Sequence, residues 1–112
     1  FDEAAAVVEG TYRTPVAVHH ALETHGAVAR WDGTRLTVWA STQGIFGFRD
    51  DLAKFFGLPS ASVRVISEYL GGGFGAKFGA GITGVVAALL ARKAGAPVKL
   101  MWNSPGRAVG NN

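Results

Sequence analysis

The sequence has no cysteine among its 112 residues, which excludes disulfide bonds and thiolate metal sites. Charge is also scarce: charged residues make up 17% of the chain, the net charge is +3, and no basic run is longer than Arg92-Lys93. Nucleic-acid-binding domains of this size usually carry a denser basic stripe. We therefore expect no nucleic-acid partner.

Long hydrophobic runs are missing too. The longest apolar stretch, "FGAGITGVVAALLA" at 78–91, is shorter than the roughly 20 residues of a membrane-spanning helix, so we expect no membrane span. The opening "FDEAAAVVEG" lacks the positive region of a signal peptide. It also lacks an initiator methionine, which indicates processing or a piece of a longer chain.

Apolar residues nevertheless make up 48% of the chain, enough to build a core. Asp32-Gly33 is a tight-turn signal between two strand-like runs, and apolar residues at helical spacing follow it. The predicted elements are a hairpin over 27–42, a helix over 46–57, a strand over 62–69, a helix over 79–94 and a strand over 97–102.

This order, β-β-α-β-α-β, predicts an α+β fold in a single domain over 1–112. We expect a two-layer sandwich, with a mixed four-stranded sheet and two helices on one face. Residues 1–18 should form an extended arm, because Pro15 disfavours a central strand. Residues 103–112 should form a loose tail.

Both predicted helices carry an apolar stripe. The stripe of the first helix is Phe48, Leu52, Phe55 and Phe56, with Asp50 and Asp51 towards the N-terminal end, where the helix dipole favours them. The sheet-facing stripe of the second helix is Ile82, Val85, Val86, Leu89 and Leu90, and its small residues Gly81, Gly84, Ala88 and Ala91 form another face. Because the second helix is apolar nearly all round, it should be covered on two sides, by the sheet and by a neighbour.

The most unusual segment is "YLGGGFGAKFGAG" at 69–81, with six glycines in thirteen residues. It joins a predicted strand to the start of a helix, where unpaired N–H groups suit oxygen-rich ligands. It matches neither the P-loop, because Phe78 follows Lys77, nor a dinucleotide fingerprint read from Gly73, because Phe78 stands where the last glycine belongs. A flexible turn before a close-packed helix is the alternative.

"GGGFGAKFGAG" resembles the signature of the molybdenum-cofactor subunit in the xanthine dehydrogenase and aldehyde oxidase family, with Ala76 replacing a common glycine. "HHALETHGAVARWDGTRLTVWASTQ" resembles the family's strand pair ending in Thr-Gln, and "RDDLAKFFGLPSASVRVISEYLGGGFG" its helix, turn and strand. The resemblance covers about residues 11–102. The spelling "GAKFGAG" is most similar to the isoquinoline-oxidoreductase-like branch.

The resemblance implies a set of cofactor-binding positions and no direct metal ligand. The family's glutamine at this strand end hydrogen-bonds to a metal-bound oxo group, although a strand-end glutamine can equally be a solvated turn residue. The family's loop amides and phenylalanine contact the oxygen ligands and the pterin. The positions implied here are Gln43, Gly72, Gly73, Phe74 and Gly75.

Three further positions bear on the chemistry. Purine-oxidising members carry a glutamate where this chain has Phe78, so the resemblance implies an aldehyde or N-heteroaromatic substrate on that side. Lys77 either reaches cofactor phosphates or is solvated. Glu23 is a base by spacing alone, whereas the family's glutamate there looks structural.

The three histidines suggest a metal site as one interpretation. His19 and His20 are adjacent on an extended segment, where successive side chains point to opposite faces and cannot easily share one ion. The family uses no histidine ligand in this region. We expect structural roles for both residues and for His25.

The resemblance implies a fragment of a molybdenum hydroxylase that binds molybdopterin, with the cytosine dinucleotide as one form that this cofactor can take. The fragment would be inactive alone, since the family's catalytic glutamate lies further along the chain. Its partners would be the remainder of the molybdenum subunit or a second copy, together with iron–sulfur and FAD-binding subunits. The location would be the cytoplasm or, for the isoquinoline-like branch, the periplasm. The alternative is a stand-alone, non-catalytic module that uses its apolar helix face to dimerise or bind another protein.

Overall fold

The computed structural model describes residues 2–103. Its elements are β1 (Gly26–Asp32), β2 (Arg35–Ala40), α1 (Ile45–Phe56), a short 3₁₀ turn (Ser60–Ser62), β3 (Val63–Ile66), α2 (Gly81–Ala94) and β4 (Val98–Met101). This is the predicted β-β-α-β-α-β order, and the α+β prediction is confirmed.

The sheet is mixed and has the strand order β3-β2-β1-β4. β1 and β2 form the predicted antiparallel hairpin, with Asp32 opposite Arg35 beside the turn. β4 adds antiparallel to β1, and β3 adds parallel to β2 after the α1 crossover. Because β2 alternates as predicted, Leu36, Val38 and Ala40 are buried under the helices.

The prediction for the inner face of α2 is wrong. Its small residues Ala87, Ala88 and Ala91 are at most 1% exposed, whereas Ile82 is 70% exposed and Leu89 and Leu90 are each 43% exposed. β1 presents Ala27 and Ala29 to the same core, so small side chains meet small side chains and the helix lies close to the sheet. Ile82, Leu89 and Leu90 consequently point outwards, whereas Val85 of the predicted stripe does pack against the core.

The stripe of α1 is partly as predicted. Phe48 and Leu52 are buried, but Ala53 takes the third core position and Phe55 is 57% exposed. Asp51 does not serve its own helix: its carboxylate accepts a hydrogen bond of 3.0 Å from the N–H of Ala80, directly before α2. Its negative charge therefore lies at the N-terminus of the other helix.

The extended arm is confirmed for the described residues. Residues 3–20 contain no helix or strand, and Val8, Tyr12 and Val16 are more than 90% exposed. The described residues have a radius of gyration of 19.8 Å, against roughly 13 Å for a compact chain of 100 residues. The predicted loose tail lies, after Asn103, outside the described residues.

No helix in residues 2–103 is long and apolar enough to cross a membrane.

Candidate functional site

The glycine-rich loop, residues 67–80, connects β3 to α2 and contains one tight turn. The N–H of Ala76 donates to the carbonyl of Gly73 at 2.9 Å, and the two central residues, Phe74 and Gly75, have φ of 52° and 94°. Positive φ at both central positions is the pattern of a type I′ turn. Gly75 suits this backbone, whereas an aromatic residue adopts it rarely, so Phe74 marks a candidate functional position.

Gln43 lies beside this turn, after the end of β2. Its Oε1 accepts hydrogen bonds from the N–H of Gly75 at 3.0 Å and of Lys77 at 3.4 Å, and its own N–H donates to the carbonyl of Lys77 at 2.7 Å. The loop holds the carboxamide oxygen, and the NH₂ group donates to no acceptor within residues 2–103, so this exposed side chain presents its NH₂ as a donor. A Cβ at Gly73 would overlap the carboxamide, so glycine is required there for this approach.

The loop also presents unpaired donors. Within residues 2–103, the N–H groups of Gly72, Gly73 and Phe74 donate no hydrogen bond. The N-terminus of α2, by contrast, is partly satisfied by Asp51. A ligand could therefore use donors of the loop as well as the remaining N–H groups at the start of α2.

Two side chains fix the far side of the loop. Thr42 donates from Oγ1 to the carbonyl of Lys77 at 3.0 Å and accepts from the N–H of Gly44 at 3.1 Å. His25 donates from Nε2 to the carbonyl of Ala76 at 2.9 Å. The structural role expected for His25 agrees with this contact, and the described residues contain no cluster of acidic, histidine or cysteine side chains that could hold a metal ion.

Lys77 is neither solvated nor directed at a ligand. Its side chain is buried, and Nζ donates to the carbonyl of Glu23 at 2.8 Å and pairs with Oε2 of Glu23 at 3.2 Å. The same carboxylate oxygen accepts hydrogen bonds from the Ser41 hydroxyl at 2.6 Å and from the N–H of Gly71 at 2.8 Å. Glu23 is thus structural, and its role as a base by spacing alone is not supported.

Burial raises the pKa of the Glu23 carboxyl, but the hydrogen bonds from Ser41, Gly71 and Lys77, with the charge of Lys77, outweigh it and hold the pKa below its ordinary value of 4.5. A lowered folded-state pKa stabilises the fold above the unfolded-state value, and this contribution is lost as the pH falls through the folded-state value.

We therefore expect Glu23→Gln to unfold at lower urea concentration than the wild type near neutral pH. The difference in free energy of unfolding between the wild type and Glu23→Gln should narrow below a pH of about 4.5, as the wild-type carboxylate becomes protonated. Urea titrations across that range would measure it. A gap independent of pH would contradict the assignment.

Comparison with known proteins decides the family. The model of the molybdopterin cofactor-binding domain matches residues 1–107. The chain is 45% identical over its whole length to the aldehyde oxidoreductase molybdenum-binding subunit PaoC of Escherichia coli strain K12. It is 36% identical over 88% of its length to the xanthine dehydrogenase molybdenum-binding subunit of Escherichia coli O157:H7, of which it covers 13%. The chain belongs to the molybdopterin cofactor-binding domain family.

Solved structures agree with this assignment. The Cu,Mo-CO dehydrogenase in its carbon monoxide reduced state matches 80% of the chain with a TM-score of 0.73 and 34% identity, over 12% of its own chain. Quinoline 2-oxidoreductase from Pseudomonas putida 86 matches 92% of the chain with a TM-score of 0.68 and 30% identity, over 13% of its own chain. The chain spans 15% of the length of PaoC. The resemblance to the family is thereby confirmed, with molybdopterin as its cofactor.

The two phenylalanines of the loop lie on the surface. Phe74 is 68% exposed and Phe78 is 59% exposed. Gly44, just before α1, lies against the carbonyl of Phe78. Both rings are available to a ligand that approaches the loop from the solvent side.

The sequence reasoning overlooked one motif. Gly79, Gly81 and Gly84 spell a complete G-x-G-x-x-G. In a dinucleotide site this pattern lies in a tight strand-to-helix turn, but here residues 67–80 separate β3 from α2. A Cβ at Gly84 would lie 2.5 Å from the ring of Phe48, so this glycine serves the contact between the helices.

Proposed function

We propose that this chain forms part of the molybdopterin site of a molybdenum hydroxylase that oxidises aldehydes or N-heteroaromatics. The observation that carries the proposal is the orientation of Gln43, whose carboxamide oxygen is bound by the loop while its NH₂ is left as a donor. A neutral donor can hydrogen-bond to an oxygen ligand without adding charge beside a high-valent metal.

The residues present fit such a group. Glycine at 73 leaves room for the carboxamide, and the unpaired N–H groups of Gly72, Gly73 and Phe74 are suited to oxygen atoms of the metal or the pterin. When bound, the molybdenum cofactor would supply the redox centre at which a substrate C–H and water become C–OH, with two electrons leaving for iron–sulfur and flavin carriers and two protons leaving for solvent.

In this proposal the chain binds and orients. Gln43 donates to an oxygen ligand, Gly75 holds Gln43 in place, and Phe74 forms an aromatic wall of the site. Phe78 lies on the substrate side. An aromatic residue there offers no carboxylate to a purine, and the 45% identity to an aldehyde oxidoreductase subunit supports the same substrate class.

The rest of the activity belongs to other parts of the enzyme. The exposed apolar face of α2 consists of Ile82, Leu89 and Leu90. We propose that the remainder of the molybdenum subunit covers it. Iron–sulfur and FAD-binding subunits would complete the electron path. A general base from outside these residues would be needed, so the chain alone should not hydroxylate. The isoquinoline-like branch, the cytosine dinucleotide form and a cytoplasmic location stay predictions.

The test is Gln43→Ala in the complete molybdenum subunit, assembled with its partners. We expect roughly tenfold lower turnover of an aldehyde substrate, with circular dichroism unchanged, because a residue beside the metal ligands is lost. Thr34→Ala, at the exposed hairpin turn, is the control. Wild-type assembly without molybdenum or pterin, or full turnover by Gln43→Ala, would contradict the proposal.

The exposed face of α2 also favours a second candidate, a non-catalytic module in which that face is covered by a second copy or by another protein. A chain that sediments as a dimer and never carries molybdopterin, in any expression host, would favour this module over the hydroxylase.

A further inference from the structure

We propose that Lys77 and Glu23 are a positioning pair, which sets the direction in which Gln43 presents its NH₂ group. The inference rests on the proposed function, because it concerns the same donor. Neither residue touches the ligand in this proposal. Both act through the loop.

The side chain of Lys77 ties the loop to the segment before β1. A lysine that is 2% exposed is unusual, and this one reaches two acceptors on a single residue, the carbonyl and the Oε2 of Glu23. That Oε2 also binds Gly71 at the start of the glycine run and Ser41 after β2. One carboxylate oxygen thus joins Gly71 and Lys77 of the loop to the strand end that leads to Gln43.

The main chain of Lys77 passes this arrangement on to Gln43. Its N–H donates to Oε1 of Gln43, and its carbonyl accepts from the N–H of Gln43 and from the Thr42 hydroxyl. Gln43 is exposed, so its carboxamide is held mainly by the hydrogen bonds from Gly75 and Lys77. If the backbone at residue 77 shifts, the carboxamide of Gln43 loses hydrogen bonds that fix its orientation.

Stability alone gives a weak reason for this pair. The pair is only partly buried, since the Glu23 side chain is 32% exposed. Replacing both members of such a pair by apolar groups is often neutral, whereas removing one member leaves the other charge unpaired and costs stability. Methionine approximates the volume of the lysine stem and can fill the same space. What methionine cannot supply is the bond to Glu23 that fixes where the backbone of residue 77 lies.

The test compares Lys77→Met with Lys54→Met, which changes an exposed lysine of α1. In the 112-residue chain without cofactor, amide hydrogen exchange and the side-chain NH₂ resonances of Gln43 are measured by NMR. For Lys77→Met we expect exchange at Gly75 and residue 77 to rise at least about tenfold more than at Leu36 and Val38, which report global unfolding, and Gln43 resonances to move towards those of free glutamine. Lys54→Met should match the wild type.

Unchanged exchange at Gly75 and unchanged Gln43 resonances in Lys77→Met would overturn the inference. If Lys77→Met does not fold, Glu23→Gln carries the test, because it keeps an acceptor oxygen and removes the charge. The same changes at Gly75 and Gln43, in the same direction and larger than any rise in exchange at Leu36 and Val38, are then expected. Their absence would likewise overturn the pair.

Cofactor retention separates this inference from the function. In the complete subunit, Lys77→Met should retain roughly tenfold less molybdopterin than the wild type, as seen for outer partners of metal sites. A wild-type subunit without molybdopterin would sink the proposed function, while a loosened Gln43 in Lys77→Met would still support the positioning pair. Molybdopterin in the wild type together with an unmoved Gln43 in Lys77→Met would support the proposed function and overturn the positioning pair.

Discussion

Gly73→Ala should lower molybdopterin retention by the complete subunit on the order of a hundredfold, while the fold is kept. A Cβ at this position overlaps the Cδ and Oε1 of Gln43, whose side chain must then leave the loop. The substitution removes the Gln43 donor and also fills the space beside the unpaired N–H groups of the loop. Loss of one outer partner costs about 10- to 100-fold, so the double loss should reach the upper end.

The cost to stability should be small, because the overlapping atoms belong to a flexible, exposed side chain rather than to backbone. Gly47→Ala is the matched control: it lies within α1, its new Cβ meets only the carbonyl of Phe78 at 3.9 Å, and alanine favours a helix by up to about 1 kcal/mol over glycine. Retention is measured by molybdenum content and by pterin fluorescence. Equal retention in Gly73→Ala and Gly47→Ala would contradict the assigned site.

The strand and helix order could be predicted because the local signals agree with the fold. Asp32-Gly33 specifies a hairpin turn, and the alternation in β2 places Leu36, Val38 and Ala40 on one face. The helix ends follow equally local signals, since Gly57 and Gly95 are left-handed C-caps.

The inner face of α2 could not be read in this way. A helix that is apolar nearly all round has no polar side to reveal which stripe lies inside. The sheet decides which stripe of α2 lies inside. Ala27 and Ala29 of β1 are small, so the helix can lie close to the sheet where its own residues, Ala87 and Ala88, are small too. That information lies in β1, far away in sequence.

The candidate site, like the fold, could be predicted from the sequence only in part. Gln43 and the loop were predicted from their resemblance to the family, and the structure places them together. The burial of Lys77 was missed, because a lysine between glycines usually indicates solvent or an anion. One signal was present: between Arg13 and Arg30, Glu23 is the only residue among Asp, Glu, Lys and Arg, and an isolated carboxylate is suited to a buried cation.

Leu52→Ala should destabilise the fold far more than Phe55→Ala, although helical spacing assigns both residues to the core. Leu52 of α1 is fully buried in the core. Its truncation should lower the free energy of unfolding by about 3 kcal/mol, through lost burial and the cavity left behind. Phe55 is 57% exposed and packs edge-on against Phe56, so its truncation should cost less than about 1 kcal/mol. Each 1 kcal/mol corresponds to about 4 °C or more in Tm for a domain near this size.

Thermal and urea unfolding of the two variants measures this contrast within one helix. If spacing alone decided the core, both truncations would destabilise the fold to a similar degree. Equal losses would show that α1 is rotated relative to its position here, with Phe55 inside. Because Phe48 on the same helix meets Gly84 of α2, such a rotation would also shift the N-terminal end of α2, beside which the Gln43 loop is built. The stability contrast therefore tests the support of the site as well as the core.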